Sequence, residues 1–153
     1  MEIIYASLQD AETIERITYD TINYVYPRYY PKGAVDFFIA HHSSENIRND
    51  ILSSGVFLCK DNGKYVGTVT IKKNEILRLF VLPDCQGNGY GRALLDHAEE
   101  LISLKFDKIL IDASLSAKSI YIKRGYKETE YHIIETDNGD HLCYDVMEKQ
   151  VCF

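Results

Sequence analysis

The sequence predicts a single α/β domain with a mixed sheet, on the basis of three observations. The chain has 153 residues, 46% hydrophobic and 26% charged, which suits one globular domain with one buried core. Asn-Gly turns between apolar runs, within residues 61–64 and 137–140, predict two β-hairpins. Between the hairpins, runs of strand and helix length alternate, which predicts a β-α-β-α centre. No break in composition divides the chain, so we expect one domain over residues 1–153.

The first third of the chain predicts one strand and then helices. Residues 2–8 are rich in β-branched and aromatic side chains, which predicts the first strand. Asp10 and Ser44 are candidate N-caps, because a short side chain that accepts a hydrogen bond favours a helix start. Prolines and a polar break divide the helical pattern that follows, so we expect helices over about residues 10–26, 33–42 and 44–54.

The rest of the chain predicts further strands and two helices. The expected strands are residues 56–60, 65–72, 75–82, 108–113, 126–136 and 141–149, and residues 108–113 are expected to be a short apolar strand. One amphipathic helix follows a glycine-rich turn, and its apolar face comprises Ala93, Leu94, Ala98, Leu101 and Ile102. A short helix over residues 116–124 ends at Gly125, which suits the left-handed position after a helix.

The composition argues against several classes of function. A formal net charge of -6 and a pI of about 5.3 argue against a nucleic-acid partner, because phosphates favour Lys and Arg. The four cysteines show neither C-x-x-C spacing nor a paired-histidine motif, so we expect no metal site and no disulfide framework. No signal-peptide pattern opens the chain and no apolar stretch reaches roughly 18 residues, so we expect a cytoplasmic protein without a membrane partner.

A glycine-rich turn follows the strand that ends at Pro83. Glycines leave backbone N–H groups open, and a helix N-terminus adds unsatisfied donors, so this turn predicts an anion site. The dinucleotide motif G-x-G-x-x-G needs a third glycine where Arg92 stands, and the P-loop needs Gly-Lys-Ser/Thr, so neither applies. The spacing that remains is Gln-x-x-Gly-x-Gly, at Gln86, Gly89 and Gly91.

Two segments together resemble the GNAT acetyltransferase family. The first is the Gln-x-x-Gly-x-Gly turn after a strand that ends in Val-x-Pro, at Val81 to Pro83. The second runs from Ala117 to Tyr126, where Ala, Tyr and Gly-Tyr fall at the intervals of the family. The resemblance covers nearly the whole chain and implies a mixed, mostly antiparallel central sheet of about six to seven strands with helices on both faces.

The resemblance also implies an activity and the residues that bind its donor. In GNAT enzymes an amine attacks the thioester of acetyl-coenzyme A directly, within a ternary complex. The donor-binding residues implied are Leu79, Phe80, Val81, Gln86, Gly87, Asn88, Gly89, Tyr90, Gly91, Arg92, Ser114 and Ala117. Ser114 departs from the asparagine that the family often has there; serine is shorter but keeps a donor and an acceptor.

Two catalytic residues follow from the same resemblance. Tyr121 stands where the family uses a tyrosine as general acid toward the leaving thiolate. Glu75 starts the donor-binding strand, where some members carry a glutamate as general base. Two alternatives for Glu75 stay open, since a chain of waters serves as the base in many members and a strand-start carboxylate is often simply solvated.

An aromatic segment lies in the region that varies most among GNAT proteins and builds the acceptor pocket. We expect Tyr26, Tyr29, Tyr30 and Phe37 to line that pocket, with Tyr29 and Tyr30 as the central pair. The alternative is packing of helix against sheet. The neighbouring pair His41-His42 predicts a solvated helix end, because adjacent helical residues face different directions.

The sequence therefore predicts an acetyl-CoA-dependent N-acetyltransferase that acts on a primary amine of a small molecule or peptide. The alternative is a non-catalytic, coenzyme A-binding sensor or regulatory module of the same fold. The pattern carries no information that identifies the acceptor. Apolar residues in the last hairpin and in residues 151–153 also favour a homodimer.

Overall fold

The computed structural model describes residues 1–151, which form one sheet and the helices around it. In chain order the elements are β1 (Glu2–Tyr5), α1 (Ala11–Val25), α2 (Lys32–His41), α3 (Ser44–Ser53), β2 (Gly55–Asp61), β3 (Lys64–Lys72), β4 (Glu75–Val81), α4 (Tyr90–Ser103), β5 (Lys108–Ala113), α5 (Lys118–Lys123), β6 (Lys127–Glu135) and β7 (His141–Gln150). The strand order is β1-β2-β3-β4-β5-β7-β6, and only the β4–β5 pair among them is parallel. The predicted fold class, a mixed and mostly antiparallel sheet of six to seven strands, is confirmed.

The helices lie on both faces of the sheet, as two adjacent residues of β4 demonstrate. The ring of Phe80 is 5.6 Å from that of His42, at the end of α2, so it points to the face that carries α2. The next residue, Val81, points the other way, because a Cβ placed on Gly91 of α4 would lie 3.7 Å from Val81 Cγ2. The hydrophobic core therefore has two layers, one on each side of the sheet.

The parallel pair in the centre of the sheet is short. β4 and β5 align over only two rows, Glu75 with Leu110 and Ile76 with Ile111, although both strands continue beyond them. A β-bulge lies on the other edge of β4, since Thr70 of β3 faces Leu77 while Thr68 faces Phe80. The sheet thus opens at its middle, next to a strand that is itself irregular.

The N-terminus of α2 is tied to the turn between β6 and β7. The Gly33 N–H donates to the Asp140 carboxylate at 2.8 Å, and no side chain fits between them, because a Cβ on Gly33 would lie 2.0 Å from Asn138 Oδ1. Tyr30 adds a second tie, since its hydroxyl donates to the Cys143 carbonyl at 3.0 Å and accepts from the Leu115 N–H at 2.8 Å. These contacts fix α2 relative to the open edge of β5.

Two of the differences from the predicted element boundaries have a clear local cause. β1 ends at Tyr5 and not at residue 8, because the Ser7 N–H donates to the Asp10 carboxylate at 2.8 Å and the chain turns there. The N-cap of α3 is Ser43 and not Ser44, since the Ser43 hydroxyl accepts from the Asn46 N–H at 3.1 Å. Of the tail named in the dimer prediction, Cys152 and Phe153 lie outside the described residues.

Within residues 1–151, no helix combines the length and the apolar character needed to span a bilayer.

We expect Gly33→Ala to destabilise the protein by about 1–3 kcal/mol, the usual cost of overpacking. In a helix where the added methyl group meets no atoms, the same change stabilises the protein by about 0.5–1 kcal/mol. Whether the free energy of unfolding falls or rises therefore shows whether the contact with Asn138 is tight. Urea unfolding of both proteins measures it. Adding Asn138→Ala removes the clashing atoms and is expected to lessen the loss; a stabilised Gly33→Ala protein would contradict the account.

Candidate active site

A cavity of about 1250 Å³ lies where β4 and β5 separate. It has two sides, which meet at Tyr26, Phe80 and Tyr121. The turn side is lined by residues 85–92, with the exception of Asn88, and by α5 and the loop before it. The helix side is lined by α2, α3, the first half of β4, Asp112 of β5, and residues of β6 and β7. Because the two sides are continuous, two different molecules can bind in contact within one space.

The glycine-rich turn has the geometry of an anion site. Gly87 and Gly89 have φ of 82° and 86°, a left-handed conformation that favours glycine, and Gly89 is the N-cap residue of α4. Its N-terminal N–H groups have no side-chain cap among the described residues. Two side chains of the turn stabilise its conformation: Gln86 donates to the Val81 carbonyl at 3.0 Å, and Asn88 donates to the Cys85 carbonyl at 2.9 Å.

The open edge of β4 presents backbone donors to the cavity. The Leu82 N–H donates to the Val66 carbonyl of the β3 side at 2.9 Å. Backbone N–H groups alternate in direction along a strand, so those of Leu79 and Val81 face away from β3 and toward the split. Both residues line the cavity. An extended ligand placed there can pair with β4 as an additional strand would.

Tyr121 lies at the junction of the two sides and is 5% exposed. Burial raises its pKa well above the usual range, and the nearby Tyr26 adds to the shift, so the hydroxyl keeps its proton at neutral pH. Its ring packs against that of Tyr126 at 5.8 Å, and the Tyr126 hydroxyl donates to Glu99 Oε1 at 3.0 Å. The structure therefore holds a protonated phenol, packed against a neighbouring ring, in the wall of the cavity.

Arg78 holds the bulge of β4 with a buried guanidinium group. The residue has φ of 48°, and its side chain is 4% exposed. The guanidinium contacts Asp50 of α3 at 2.9 Å, donates to Thr70 Oγ1 at 3.3 Å, and donates to His42 Nδ1 at 3.2 Å. Neighbouring strands and helices thus converge on one side chain at the point where the sheet opens.

The prediction of a solvated His41-His42 helix end is wrong for His42. Its ring lines the cavity and accepts the hydrogen bond from Arg78. Burial, together with the charges of Arg78 and His41, lowers the pKa of His42 to about 3. His42 is therefore neutral at physiological pH, and since Nδ1 accepts, we assign its proton to Nε2. His41 is exposed and stacks on Phe37 at 6.2 Å.

The sequence-predicted residues fall into two groups. The cavity brings together Tyr26, Phe37, Leu79, Phe80, Val81, Gln86, Gly87, Gly89, Tyr90, Gly91, Arg92, Ser114, Ala117 and Tyr121. Four others lie outside its lining: Tyr29, Tyr30, Glu75 and Asn88.

The expected central pair Tyr29 and Tyr30 needs a correction. Tyr29 is 49% exposed, and the buried Tyr30 hydroxyl is used to join Leu115 to Cys143. The aromatic wall of the cavity is instead formed by Tyr26 and Phe37 together with Phe38, whose ring is 4.8 Å from that of Tyr26. Glu75 is exposed at the start of β4 and does not reach the cavity, so the structure offers it no direct contact with a ligand there.

Asp112 is a cavity residue that the sequence reasoning missed. The expectation of an apolar strand over residues 108–113 overlooked it, although an aspartate within a run of Ile, Leu and Ala was itself a signal. Its side chain lines the helix side of the cavity, beside Tyr144.

Within residues 1–151, no three His, Cys, Asp or Glu side chains are grouped in a way that would hold a metal ion.

Comparison with known proteins gives one family and one fold. The family model described as "Acetyltransferase (GNAT) domain" matches residues 25–149. The solved structures that are similar to this chain include the following three. A GCN5-related N-acetyltransferase from Rhodopseudomonas palustris has a TM-score of 0.90 at 22% identity, covering 98% of this chain and 95% of its own. The PaiA N-acetyltransferase from Thermoplasma acidophilum, in complex with coenzyme A, has a TM-score of 0.75 at 23% identity, covering 99% and 100%.

The third structure is the ribosomal-protein-S18-alanine N-acetyltransferase from Escherichia coli, with a TM-score of 0.73 at 18% identity, covering 99% of this chain and 94% of its own. At such identities the likeness is one of fold, and it extends over essentially the full length of each chain.

We expect Asp50→Ala to destabilise the protein by about 3–5 kcal/mol, because it leaves the buried Arg78 charge without a partner. Asp36→Ala is the matched control; it breaks the exposed pair with Lys32 and should cost less than about 1 kcal/mol. Chemical denaturation of each variant gives the comparison. Replacing both partners, as Asp50→Leu with Arg78→Met, should recover much of the loss. Equal costs for Asp50→Ala and Asp36→Ala would show that the buried pair does not hold the bulge.

Proposed function

The chain belongs to the GNAT acetyltransferase family, and we propose that it transfers the acetyl group of acetyl-coenzyme A to a primary amine of a small molecule or peptide. The transfer is direct, with both substrates bound in a ternary complex. One observation carries the proposal: a single cavity joins the glycine-rich turn to the open edge of β4 and to Tyr121. The solved complex of the Thermoplasma acidophilum protein with coenzyme A supports the choice of donor.

The turn side of the cavity suits the phosphate-bearing half of acetyl-coenzyme A. The N–H groups from Gly87 to Arg92 would bind the pyrophosphate, assisted by the positive end of the α4 dipole. A Cβ at Gly87 or Gly89 would meet no atom within 4 Å, so this part of the turn is open to a ligand. Ser114 and Ala117 line the opposite wall. The residues present therefore fit the donor that the family implies.

The strand edge suits the pantetheine arm and the thioester. An extended arm beside β4 would pair with the backbone of Leu79 and Val81. A strand N–H at the same edge would also donate to the thioester carbonyl, where negative charge develops as the amine attacks. The rigid placement of both reactants in one groove supplies the proximity contribution to the rate.

Tyr121 is the general acid in this proposal. Its buried, protonated hydroxyl at the junction would supply a proton to the sulfur as the carbon–sulfur bond breaks. The high pKa suits a donor that must keep its proton until thiolate charge appears. Tyr26 and Phe37 would contribute to the wall that receives the acceptor.

We expect Gly89→Ala to weaken the binding of acetyl-coenzyme A by about 10-fold or more, which corresponds to about 1.4 kcal/mol. The added Cβ is strained at a φ of 86° and occupies the space in front of the turn. Gly63→Ala is the matched control, since it introduces the same strain at a φ of 76° in the β2–β3 turn, away from the cavity. Calorimetric titration measures both affinities; equal losses would remove the turn from the donor site.

We expect Tyr121→Phe to retain the affinity for acetyl-coenzyme A and to lower the turnover number by about 100-fold, the usual effect of losing a general acid. Thioester cleavage with a panel of amines, followed by absorbance, measures turnover. Tyr131→Phe removes an exposed hydroxyl outside the cavity lining and should leave turnover unchanged. If Tyr121→Phe turns over like the wild type, the tyrosine has no role in the chemistry.

The same assay distinguishes the enzyme from a coenzyme A-binding sensor of the same fold. Tight binding of coenzyme A by the wild-type protein, without thioester cleavage by any class of amine, would favour the sensor and refute the proposed transfer.

A further inference from the structure

Asp112 occupies a particular place in the split sheet. The last aligned row between β4 and β5 pairs Ile76 with Ile111, so Asp112 is the first β5 residue beyond it. It stands on the β5 side of the opening, across from the bulge at Arg78 on β4. An amine that attacks a thioester held on β4 must approach through this opening. Asp112 is thus on the approach side of the reacting groups, whereas Glu75 is exposed at the far end of β4.

The side chain of Asp112 faces the helix side of the cavity. It alternates with the buried Ile111 and Ala113, so it points to the opposite face of the sheet. The titratable groups around it there are His41 of α2, Tyr144 of β7, and His132 and Glu130 of β6. Asp112 therefore has neighbours from three different elements, and its side chain is an exposed part of the cavity lining.

Asp112 is a carboxylate without a partner within residues 1–151. The other carboxylates nearby are engaged, Asp50 by Arg78 at 2.9 Å and Glu130 by His132 at 2.9 Å. Partial burial raises the pKa of Asp112, Glu130 adds to this rise, and His132 and His41 partly offset it. The group is therefore a somewhat stronger base than an ordinary surface aspartate, and no side chain near it has taken up its charge.

We propose that Asp112 binds the ammonium group of the acceptor and removes its proton, and that the acceptor is a monoamine with an apolar or aromatic body. This inference rests on the proposed acetyl transfer. Asp112 would then be a catalytic residue, because it contacts the reacting nitrogen.

The reaction balances with the groups present. Asp112 takes one proton from the ammonium group, and the neutral nitrogen forms a bond to the thioester carbonyl carbon. The carbon–sulfur bond breaks with its electron pair on sulfur, and Tyr121 gives its proton to that sulfur. The nitrogen then gives up a second proton, which restores the Tyr121 hydroxyl. The products are an amide, a free thiol and one proton, which Asp112 releases to solvent.

The charges and surfaces of the helix side define the class of acceptor. The walls from α2, β6 and β7 contribute apolar or aromatic side chains, Phe37, Phe38, Ile134, Leu142 and Tyr144. The α3 wall of the same side is polar, with Asn46, Asn49 and Ser53. Lys72 lines the same side without a carboxylate partner within residues 1–151, and its charge would repel a second ammonium group. One uncompensated carboxylate matches one positive charge. A polyamine, which needs several carboxylates, fits this side poorly.

The test compares Asp112→Asn with Asp20→Asn, a matched loss of one exposed carboxylate on α1 outside the cavity lining, using 2-phenylethylamine as acceptor. At pH 7 we expect Asp112→Asn to lower kcat/KM for the amine by about 100-fold, with affinity for acetyl-coenzyme A unchanged. Asp20→Asn should match the wild type. Asp112→Glu, the conservative variant, should retain most of the activity and controls for folding.

The pH profile separates a base from a structural role. With Asp112 present, the reactive complex forms from the carboxylate and the ammonium form of the amine, so kcat/KM should be nearly flat around neutral pH. Asp112→Asn can use only the neutral amine, so its kcat/KM should rise tenfold for each unit of pH up to the pKa of the amine. A flat pH profile together with full activity for Asp112→Asn would overturn the role of Asp112 and leave the proposed acetyl transfer unaffected.

Two further outcomes bear on the wider claims. Faster turnover of spermidine, or of a tetrapeptide with a free N-terminus, than of 2-phenylethylamine would overturn the acceptor class. Absence of thioester cleavage by the wild type with all three amines would overturn the proposed function, and the inference with it.

Discussion

A guanidinium group buried under a sheet needs a carboxylate, and Asp50 supplies one to Arg78 at 2.9 Å. The left-handed backbone of Arg78 costs roughly 1–2 kcal/mol for a residue with a Cβ, so the bulge of β4 persists only because surrounding contacts hold it. The ion pair attaches α3 to β4, and the bond from Arg78 to His42 attaches the end of α2. Loss of this anchor would free the strand edge on which the donor site depends.

The cavity follows from two departures from regular structure in one place. β4 and β5 stop pairing after two rows, and the bulge turns β4 on its other edge. The backbone donors that a paired β5 would use are therefore available to a ligand. Tyr121 closes one side of this opening, and Asp112 stands on the other. The hydrogen bonds from Tyr30 to β7 and from Gly33 to the β6–β7 turn hold α2 in position beside the helix side of the cavity.

The order of elements, the fold class and the place of the glycine-rich turn in the cavity lining were predictable from sequence, because strand alternation, Asn-Gly turns and the glycine spacing are local patterns. The lining of the helix side was not, because it depends on tertiary contacts. Tyr26 and Tyr30 are four residues apart in similar sequence surroundings, yet Tyr26 lines the cavity. The Tyr30 hydroxyl is instead hydrogen-bonded to the backbone of Leu115 and Cys143. The left-handed conformation of Arg78 has no local sequence signal. Asp112 did have one, as the single charged residue inside an apolar strand, but only the fold shows that the strand lines a cavity there.

A crystal structure of the protein with coenzyme A bound is the most direct measurement of the central claim. The account predicts the pyrophosphate on the N–H groups from Gly87 to Arg92, the pantetheine arm beside Leu79 and Val81 in the split, and the thiol next to the Tyr121 hydroxyl. Asp112 should then lie across open space from the sulfur. Coenzyme A bound elsewhere, or a thiol directed away from Tyr121, would contradict the account.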